Sequence, residues 1–280
     1  MRGIEAWGAP CHDRTVTPPP DAPLVIAHRG SSGAVAEHTL GAYRRALAEG
    51  VDGLECDVRL TADGELVCLH DRTLERVAGL DRVVSTTTLA ELRELDFGSW
   101  KHGPAPDRDP DSGRLVTLRE LIELASSAAR PTGLLIETKH PTRFGSRVEH
   151  EVAALLTELG LDGPRRPGAT WARVMSFSHL AVRRMASLCP QLPTVFLMSA
   201  PLRLPYRGGS LPSDAQTAGL DIAILRDRPE VVANHHEQGH EVFVWTVDEK
   251  EDITLCLELG VDAIISNRPA TVLDVAGQRR

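Results

Sequence analysis

Residues 53–60 read Gly53-Leu54-Glu55-Cys56-Asp57-Val58-Arg59-Leu60. The run predicts a strand, and Glu55 and Asp57, two apart, project from the same side of it. On a sheet with one wet face, such alternation is the default pattern of a solvent-exposed strand. In a barrel wrapped by helices the outer face is covered. The two acids must then point inward, where an unpaired charge is costly. The flanking segments decide between these cases.

Upstream, Leu24-Val25-Ile26-Ala27 is a first strand. Leu40, Tyr43 and Leu47 recur at helical spacing over residues 39–49, and Gly50 suits the stop. Downstream, Thr61-Ala62-Asp63-Gly64 is a hairpin turn into the extended run 66–69. Residues 71–116 break the alternation and read as an insertion and loop rather than a core element. Helices are then expected at 118–129, 147–159, 179–188, 229–238 and 250–259, and strands at 133–138, 173–177, 194–198, 222–225, 241–247 and 263–266. His235-His236 falls on the second-last of these helices and is expected at its surface. Adjacent residues point about 100° apart around a helix, so one ion could not easily take both.

Repeated β–α alternation leaves two folds, an open doubly wound sheet or a closed barrel. The open sheet would carry a glycine-rich phosphate turn after its first strand. Here His28-Arg29-Gly30 follows instead. The expected fold class is α/β, a TIM (β/α)8 barrel with a small insertion after the second strand. Residues 1–22, ending near Pro18-Pro19-Pro20, are expected as a flexible leader, residues 23–280 as the barrel domain and about 71–116 as its insertion.

Of the 280 residues, 31 are basic and 39 acidic, a formal net charge of −8. That balance gives no bulk polybasic surface for nucleic acid or membrane, without excluding a local basic pocket. No run of about 18 apolar residues occurs, so no membrane insertion is expected. The first twenty residues lack the apolar stretch of a signal peptide. Cys11, Cys56, Cys68, Cys189 and Cys256 form no CxxC pair, which argues against a zinc knuckle or redox motif and for idle thiols in a reducing compartment. The expected setting is cytoplasmic and the expected partner a small molecule; no oligomeric state is readable.

Polar residues gather at the expected strand ends: His28 and Arg29, Glu55 and Asp57, His70 and Asp71, Glu137 and Lys139, and Trp245. In a parallel barrel these ends meet at one mouth, where barrel active sites lie. Each has a bland explanation: a structural histidine, an ion pair on a strand end, a packed tryptophan. For all to be bland, independent coincidences must fall at five strand ends. Three carboxylates converging at one mouth repel, and a divalent cation with oxygen ligands relieves that repulsion, so Mg²⁺ or Ca²⁺ is expected, with Mn²⁺ also acceptable.

Taken in order, Ala27-His28-Arg29-Gly30, Glu37-His38-Thr39, Gly53-Leu54-Glu55-Cys56-Asp57-Val58, Leu69-His70-Asp71, Ile136-Glu137-Thr138-Lys139, Ser176-Phe177 and Val244-Trp245-Thr246-Val247 resemble the glycerophosphodiester phosphodiesterase family. With Gly260-Val261-Asp262-Ala263-Ile264-Ile265, the match runs from about residue 24 to 272. The resemblance implies metal-dependent hydrolysis of glycerophosphodiesters to an alcohol and glycerol 3-phosphate. It implies a divalent metal held by Glu55, Asp57 and Glu137, and His28 and His70 as the acid–base pair. Arg29 and Lys139 would meet the phosphate, and Trp245 would line the glycerol side. In the route the resemblance implies, a glycerol hydroxyl attacks first and a cyclic phosphate is then opened by water.

The chain departs from the family pattern at three positions. His38 stands where Pro-Glu-Asn-Thr has its asparagine, and its imidazole N–H could donate a similar hydrogen bond. Asp248 replaces the asparagine of Trp-Thr-Val-Asn, and Asn267 stands where an aspartate is common. None removes a residue assigned to chemistry. Two other functions compete. A lysophospholipase D-type phosphodiesterase would need an acyl groove, for which residues 195–211 supply apolar side chains, although 196–198 read first as barrel core. A barrel that binds a phosphate ligand without turning it over would not need both histidines.

Overall fold

A computed structural model describes residues 22–103, 109–212 and 215–277. The expected leader lies, apart from Ala22, outside them. Among the described residues eleven strands run in chain order: β1 Leu24–His28, β2 Gly53–Leu60, β3 Leu66–Cys68, β4 Thr73–Leu74, β5 Leu80–Val83, β6 Gly133–Thr138, β7 Trp171–Ser176, β8 Thr194–Met198, β9 Thr217–Asp221, β10 Glu241–Trp245 and β11 Ala263–Ser266. Parallel pairing follows the order β1-β2-β6-β7-β8-β9-β10-β11, and β1 pairs with β11 as well as β2, so the eight strands close into a barrel. β3 is antiparallel to β2 through the Thr61–Gly64 turn, with Val58 opposite Cys68.

Period-two alternation holds around the barrel. Ile26, Leu135, Met175, Val195, Leu197, Phe243 and Ile265 point inward and form one buried cluster. Val25, Ala27, Leu54, Cys56, Val58, Leu134, Ile136, Val242 and Val244 point outward into a larger cluster beneath the helices. Both faces of the strands are therefore dry, as an all-parallel sheet requires. The interior is plugged from below by Trp171, which fits only because Gly133 beside it has no side chain; a Cβ there would run into the indole. Arg173 pairs with Glu241 under Phe243 and seals the base. Bulk at the base leaves the next inward level, His28, Asp57, Glu137 and Trp245, at the open mouth.

The helices follow from local chemistry. Thr39 Oγ1 accepts from Ala42 N–H at 3.2 Å and caps helix Leu40–Glu49, which ends on Gly50 at φ 86. Thr117 and Glu120 form a capping box that starts helix Leu118–Ser126. The strand expected at 222–225 is a correction. Those residues lie in helix Ile222–Asp227, capped by Asp221, and the strand is β9 just before it. A four-residue apolar run has no period of its own, and Gly219 hides the strand that packs Leu197 against it. A second correction concerns His235, expected at the surface and fully buried here on the inner side of helix Glu230–Glu237.

Residues 71–116 also hold more structure than their composition suggests. β4 and β5 pair, and short helices Glu75–Ala78, Leu89–Arg93 and Ser99–His102 pack around Leu74, Val77, Val84, Leu92 and Phe97, a small core of their own. Elements of two to five residues carry no readable periodicity. Among the described residues, no helix is long and apolar enough to cross a membrane.

Candidate active site

Every residue expected to carry chemistry lies at the C-terminal mouth of the barrel. β2 sends up Glu55 and Asp57, and β6 sends up Glu137, in register with Asp57, followed by Lys139. One oxygen from each of Glu55, Asp57 and Glu137 lies within 4.8 Å of the others, and all three residues are buried.

Asp57 is the most heavily held. Lys139 Nζ lies 2.8 Å from its Oδ1, His38 Nε2 2.9 Å from its Oδ2, and Arg29 Nε 3.0 Å from the same oxygen. Burial works to raise the Asp57 pKa, but His38, Arg29 and Lys139 together hold it well below the usual carboxylate range. Glu55 and Glu137 go the other way. Burial and the neighbouring Asp57 charge push Glu55 well above that range and Glu137 to about 8. Lys139 Nζ also meets Glu137 Oε1 at 2.7 Å. Glu55 Oε2 accepts from the Arg29 backbone N–H at 2.9 Å, while its Oε1 is buried with no hydrogen-bond donor among the described residues. A buried carboxylate oxygen without a donor beside two further carboxylates is the environment a hard cation satisfies, since its charge favours the ionised forms.

His38 occupies a positive-φ position, φ 59, and is 2 % exposed. A carboxylate only accepts, so Nε2 carries the hydrogen that goes to Asp57, and Nδ1 accepts from Tyr43 Oη at 2.8 Å. The larger ring is accommodated by Tyr43 and fulfils the expected donor role.

The two proposed catalytic histidines have different backings. His28 Nδ1 lies 2.7 Å from Asn267 Oδ1. The orientation of that carboxamide is set on its other side, where Asn267 Nδ2 donates to Asp248 Oδ2 at 2.7 Å and Asn267 N–H donates to Asp248 Oδ1 at 2.8 Å. Nδ1 of His28 therefore bears the hydrogen, and the Nε2 lone pair faces inward, 3.8 Å from Glu55 Oε2. Burial, then the Arg29 charge, lower the His28 pKa to about 4. His70 is 36 % exposed at its side chain, and its Nδ1 donates to Asp71 Oδ1 at 2.6 Å. Asp248 and Asn267, noted separately in the sequence as departures, are thus hydrogen-bonded partners. Relative to the family pattern, amide and carboxylate have exchanged places.

Sequence reasoning missed Arg76. It donates to Asp71 at 2.6 Å and to Glu37 at 2.7 and 3.0 Å, while Arg29 Nη1 donates to Glu37 at 3.0 Å. A continuous chain, His70–Asp71–Arg76–Glu37–Arg29–Asp57, therefore joins the insertion to the carboxylate cluster. Burial would raise the Glu37 pKa; Arg76 and Arg29 bring it to about 2 instead. Across the mouth Trp245 donates Nε1–H to Gly219 O at 3.1 Å, and Phe177 meets it edge-on with ring centroids 5.3 Å apart. Phe177 is 45 % exposed and forms the open part of this aromatic wall.

Comparison with known proteins agrees with the geometry. Residues 28–271 match the model of the glycerophosphoryl diester phosphodiesterase family. A probable glycerophosphodiester phosphodiesterase 1 of Mycobacterium tuberculosis is 45% identical over 247 residues, covering 88% of this chain and 90% of that one. A glycerophosphodiester phosphodiesterase of Caldanaerobacter subterraneus is 32% identical over 252 residues, 90% of this chain and 97% of that one. Among solved structures, an Oleispira antarctica phosphodiesterase in complex with the product sn-glycerol-3-phosphate superposes with a TM-score of 0.73 at 28% identity, covering 91% of this chain and 96% of that one.

Proposed function

The chain belongs to the glycerophosphoryl diester phosphodiesterase family, and from that premise we propose that it hydrolyses a glycerophosphodiester to an alcohol and glycerol 3-phosphate, with Glu55, Asp57 and Glu137 holding one divalent cation and His28 and His70 moving the protons. It is an enzyme, a phosphoric diester hydrolase of the glycerophosphodiester class. The finer statements rest on one observation: two imidazoles with fixed Nδ1–H groups share a mouth with three buried carboxylates whose oxygens lie within 4.8 Å.

Charge counting supports the cation. Three carboxylates against Arg29 and Lys139 leave one net negative charge. A divalent ion inverts that to one positive charge, and a diester monoanion then neutralises it. All three ligands are hard oxygens, which suits Mg²⁺, Ca²⁺ or Mn²⁺. When bound, the ion would stabilise charge on the phosphoryl oxygens. Arg29 has five N–H donors and Lys139 three, so each retains donors for the same oxygens beyond those spent on carboxylates.

The division of labour follows from what backs each ring. His28 is backed by a neutral amide, keeps its Nε2 lone pair and takes the proton of the attacking hydroxyl. Burial lowers the His70 pKa, but the Asp71 carboxylate behind it works the other way and favours an imidazolium, so His70 delivers a proton to the leaving alcohol. The attacking hydroxyl is that of the glycerol half, next to the phosphate, which has a large proximity advantage over water; the cyclic phosphate it forms is then opened by water, His70 taking the water's proton and His28 returning its proton to the departing glycerol oxygen, which leaves glycerol 3-phosphate. Trp245 would line the glycerol side. A leaving group that needs no proton separates the two roles. With glycerophospho-p-nitrophenol, His70→Ala should retain most turnover and His28→Ala should lose it. With an alkyl alcohol both should lose it. Equal losses on both substrates would refute the assignment.

The lysolipid alternative gains no support. Phe196, Leu197 and Met198 are buried, and Tyr206 rests against Phe196 with centroids 5.4 Å apart, so these apolar residues pack on one another. The described cysteines, Cys56, Cys68, Cys189 and Cys256, are unpaired and buried, in keeping with a reducing, cytoplasmic setting.

A further inference from the structure

A shallow cleft, partly open to solvent, lies beside Lys139. Arg59, Arg72, Arg143 and Lys139 line it with Ser85 and Thr142, and among the described residues no acidic one does. Arg59 is the next residue after Asp57 on the inward face of β2, so it stands one level higher at the mouth. Its Nε and Nη2 donate to the carbonyl oxygen of His70 at 2.9 and 2.7 Å. Arg143 Nη1 donates to Ser85 O at 3.3 Å and lies over Phe144. Carbonyls satisfy hydrogen bonds but do not neutralise charge. Among the described residues none of these three arginines forms an ion pair, whereas Arg29, Arg76, Arg93 and Arg114 each reach a carboxylate. Three guanidiniums without a direct ion pair thus gather around one cleft, although Asp57, Asp71 and Glu137 act on Arg59 from farther off.

We propose that this cleft receives a phosphate monoester carried on the alcohol half of the substrate, so that the enzyme prefers glycerophosphodiesters whose alcohol bears a second negative charge. The proposal rests on the hydrolase reading for its substrate and on the cleft's own residues for its ligand. Position supports it. Lys139 reaches the carboxylate cluster with its ammonium and also lines the cleft, so the two sites adjoin. Trp245 stands on β10, across the barrel from β2, the insertion and the loop after β6 that carry Arg59, Arg72 and Arg143, while Phe177 follows β7, the neighbour of β6. The two halves of a diester would therefore meet different walls. Guanidinium forks match phosphate oxygens, while a quaternary ammonium alcohol would be repelled.

The test compares kcat/KM for three diesters sharing the glycerol half, with glycerol phosphate, glycerol or choline as the alcohol, at low and high salt. The phosphate-bearing diester should lead choline by about tenfold at low salt, and the lead should shrink as salt screens it. In R72Q/R143Q the ratio of the phosphate-bearing diester to the diester of glycerol should fall about fivefold or more, toward one. Choline handled as well as the phosphate-bearing diester, or an unchanged ratio in the double variant, overturns the proposal. Calorimetric titration with inorganic phosphate provides an arm that needs no turnover. Binding should weaken about threefold or more in R72Q/R143Q, and equal binding overturns the cleft. Arginine-dependent phosphate binding without turnover of any diester would refute the hydrolase reading and leave the cleft standing.

Discussion

Replacing Asn267 by alanine removes the acceptor that selects the His28 tautomer while leaving the residues proposed to touch substrate in place. In the native arrangement His28 Nδ1–H meets Asn267 Oδ1 at 2.7 Å, and Asp248 holds the amide in that orientation through two bonds of 2.7 and 2.8 Å. Loss of one neutral hydrogen bond costs about 1 kcal/mol. Freeing the ring to place its hydrogen on Nε2, where it cannot act as base, costs catalysis roughly as much again. About 2 kcal/mol corresponds to a fall in kcat of roughly 30-fold. KM should stay within about threefold, because Asn267 lies behind the ring rather than against the substrate. Steady-state kinetics on a diester of a neutral alcohol measures both, and ¹⁵N NMR of His28 should show the Nδ1–H tautomer in the native protein and a mixture in the variant. The exchanged pair allows a cycle. D248N and N267D alone each leave two like groups facing, and D248N/N267D should recover much of the lost rate. A kcat for Asn267→Ala within threefold of native, or a rise in KM with kcat unchanged, would refute the reasoning.

Three further outcomes are expected. Arg76→Gln cuts the link from Asp71 to Glu37 and should lower kcat about three- to tenfold, since Arg76 is partly exposed and its ion pairs are screened; unchanged kcat would remove it from the positioning chain. Gly133→Ala drives a methyl into the Trp171 ring and should cost about 2–3 kcal/mol in urea unfolding, so an unmoved midpoint would contradict the described packing at the barrel base. His235 is buried, and burial together with the charge of His240 lowers its pKa to about 4. The unfolded chain then binds a proton near pH 6.5 that the folded chain refuses until about pH 4, so folding stability is complete above pH 6.5 and falls as pH drops through that window. His235→Leu should flatten this dependence by roughly 2–4 kcal/mol across the window, and an unaltered pH profile would show that His235 does not set it.

What was legible in the sequence was whatever a strand's period of two projects. Glu55-x-Asp57 and Glu137-x-Lys139 could be placed on one face because two residues along a strand always return to it. The same column continues to Arg59, which the period of two places on the same face as Glu55 and Asp57. His38 was noticed as a departure, but its bonds to Asp57 and Tyr43 depend on a turn with positive φ that spacing does not reveal. Asp248 and Asn267 stand 19 residues apart in the chain, and only adjacency of β10 and β11 makes them partners. Arg76 was unreadable for the same reason: its partners lie 5 and 39 residues away, and the helix that carries it has four residues. The strand misplaced at 222–225 shows the limit from the other side, where an apolar run without a period suits a helix and a strand equally.

The central claim is most directly tested by incubating the purified protein with glycerophosphoglycerol and measuring glycerol 3-phosphate, first with EDTA and then with Mg²⁺, Ca²⁺ or Mn²⁺ restored. Release that EDTA abolishes, that one of these ions restores, and that Glu137→Gln shifts to higher ion concentration is the predicted result. Release that persists undiminished in EDTA would contradict the metal site, and no release with any ion would contradict the hydrolysis itself.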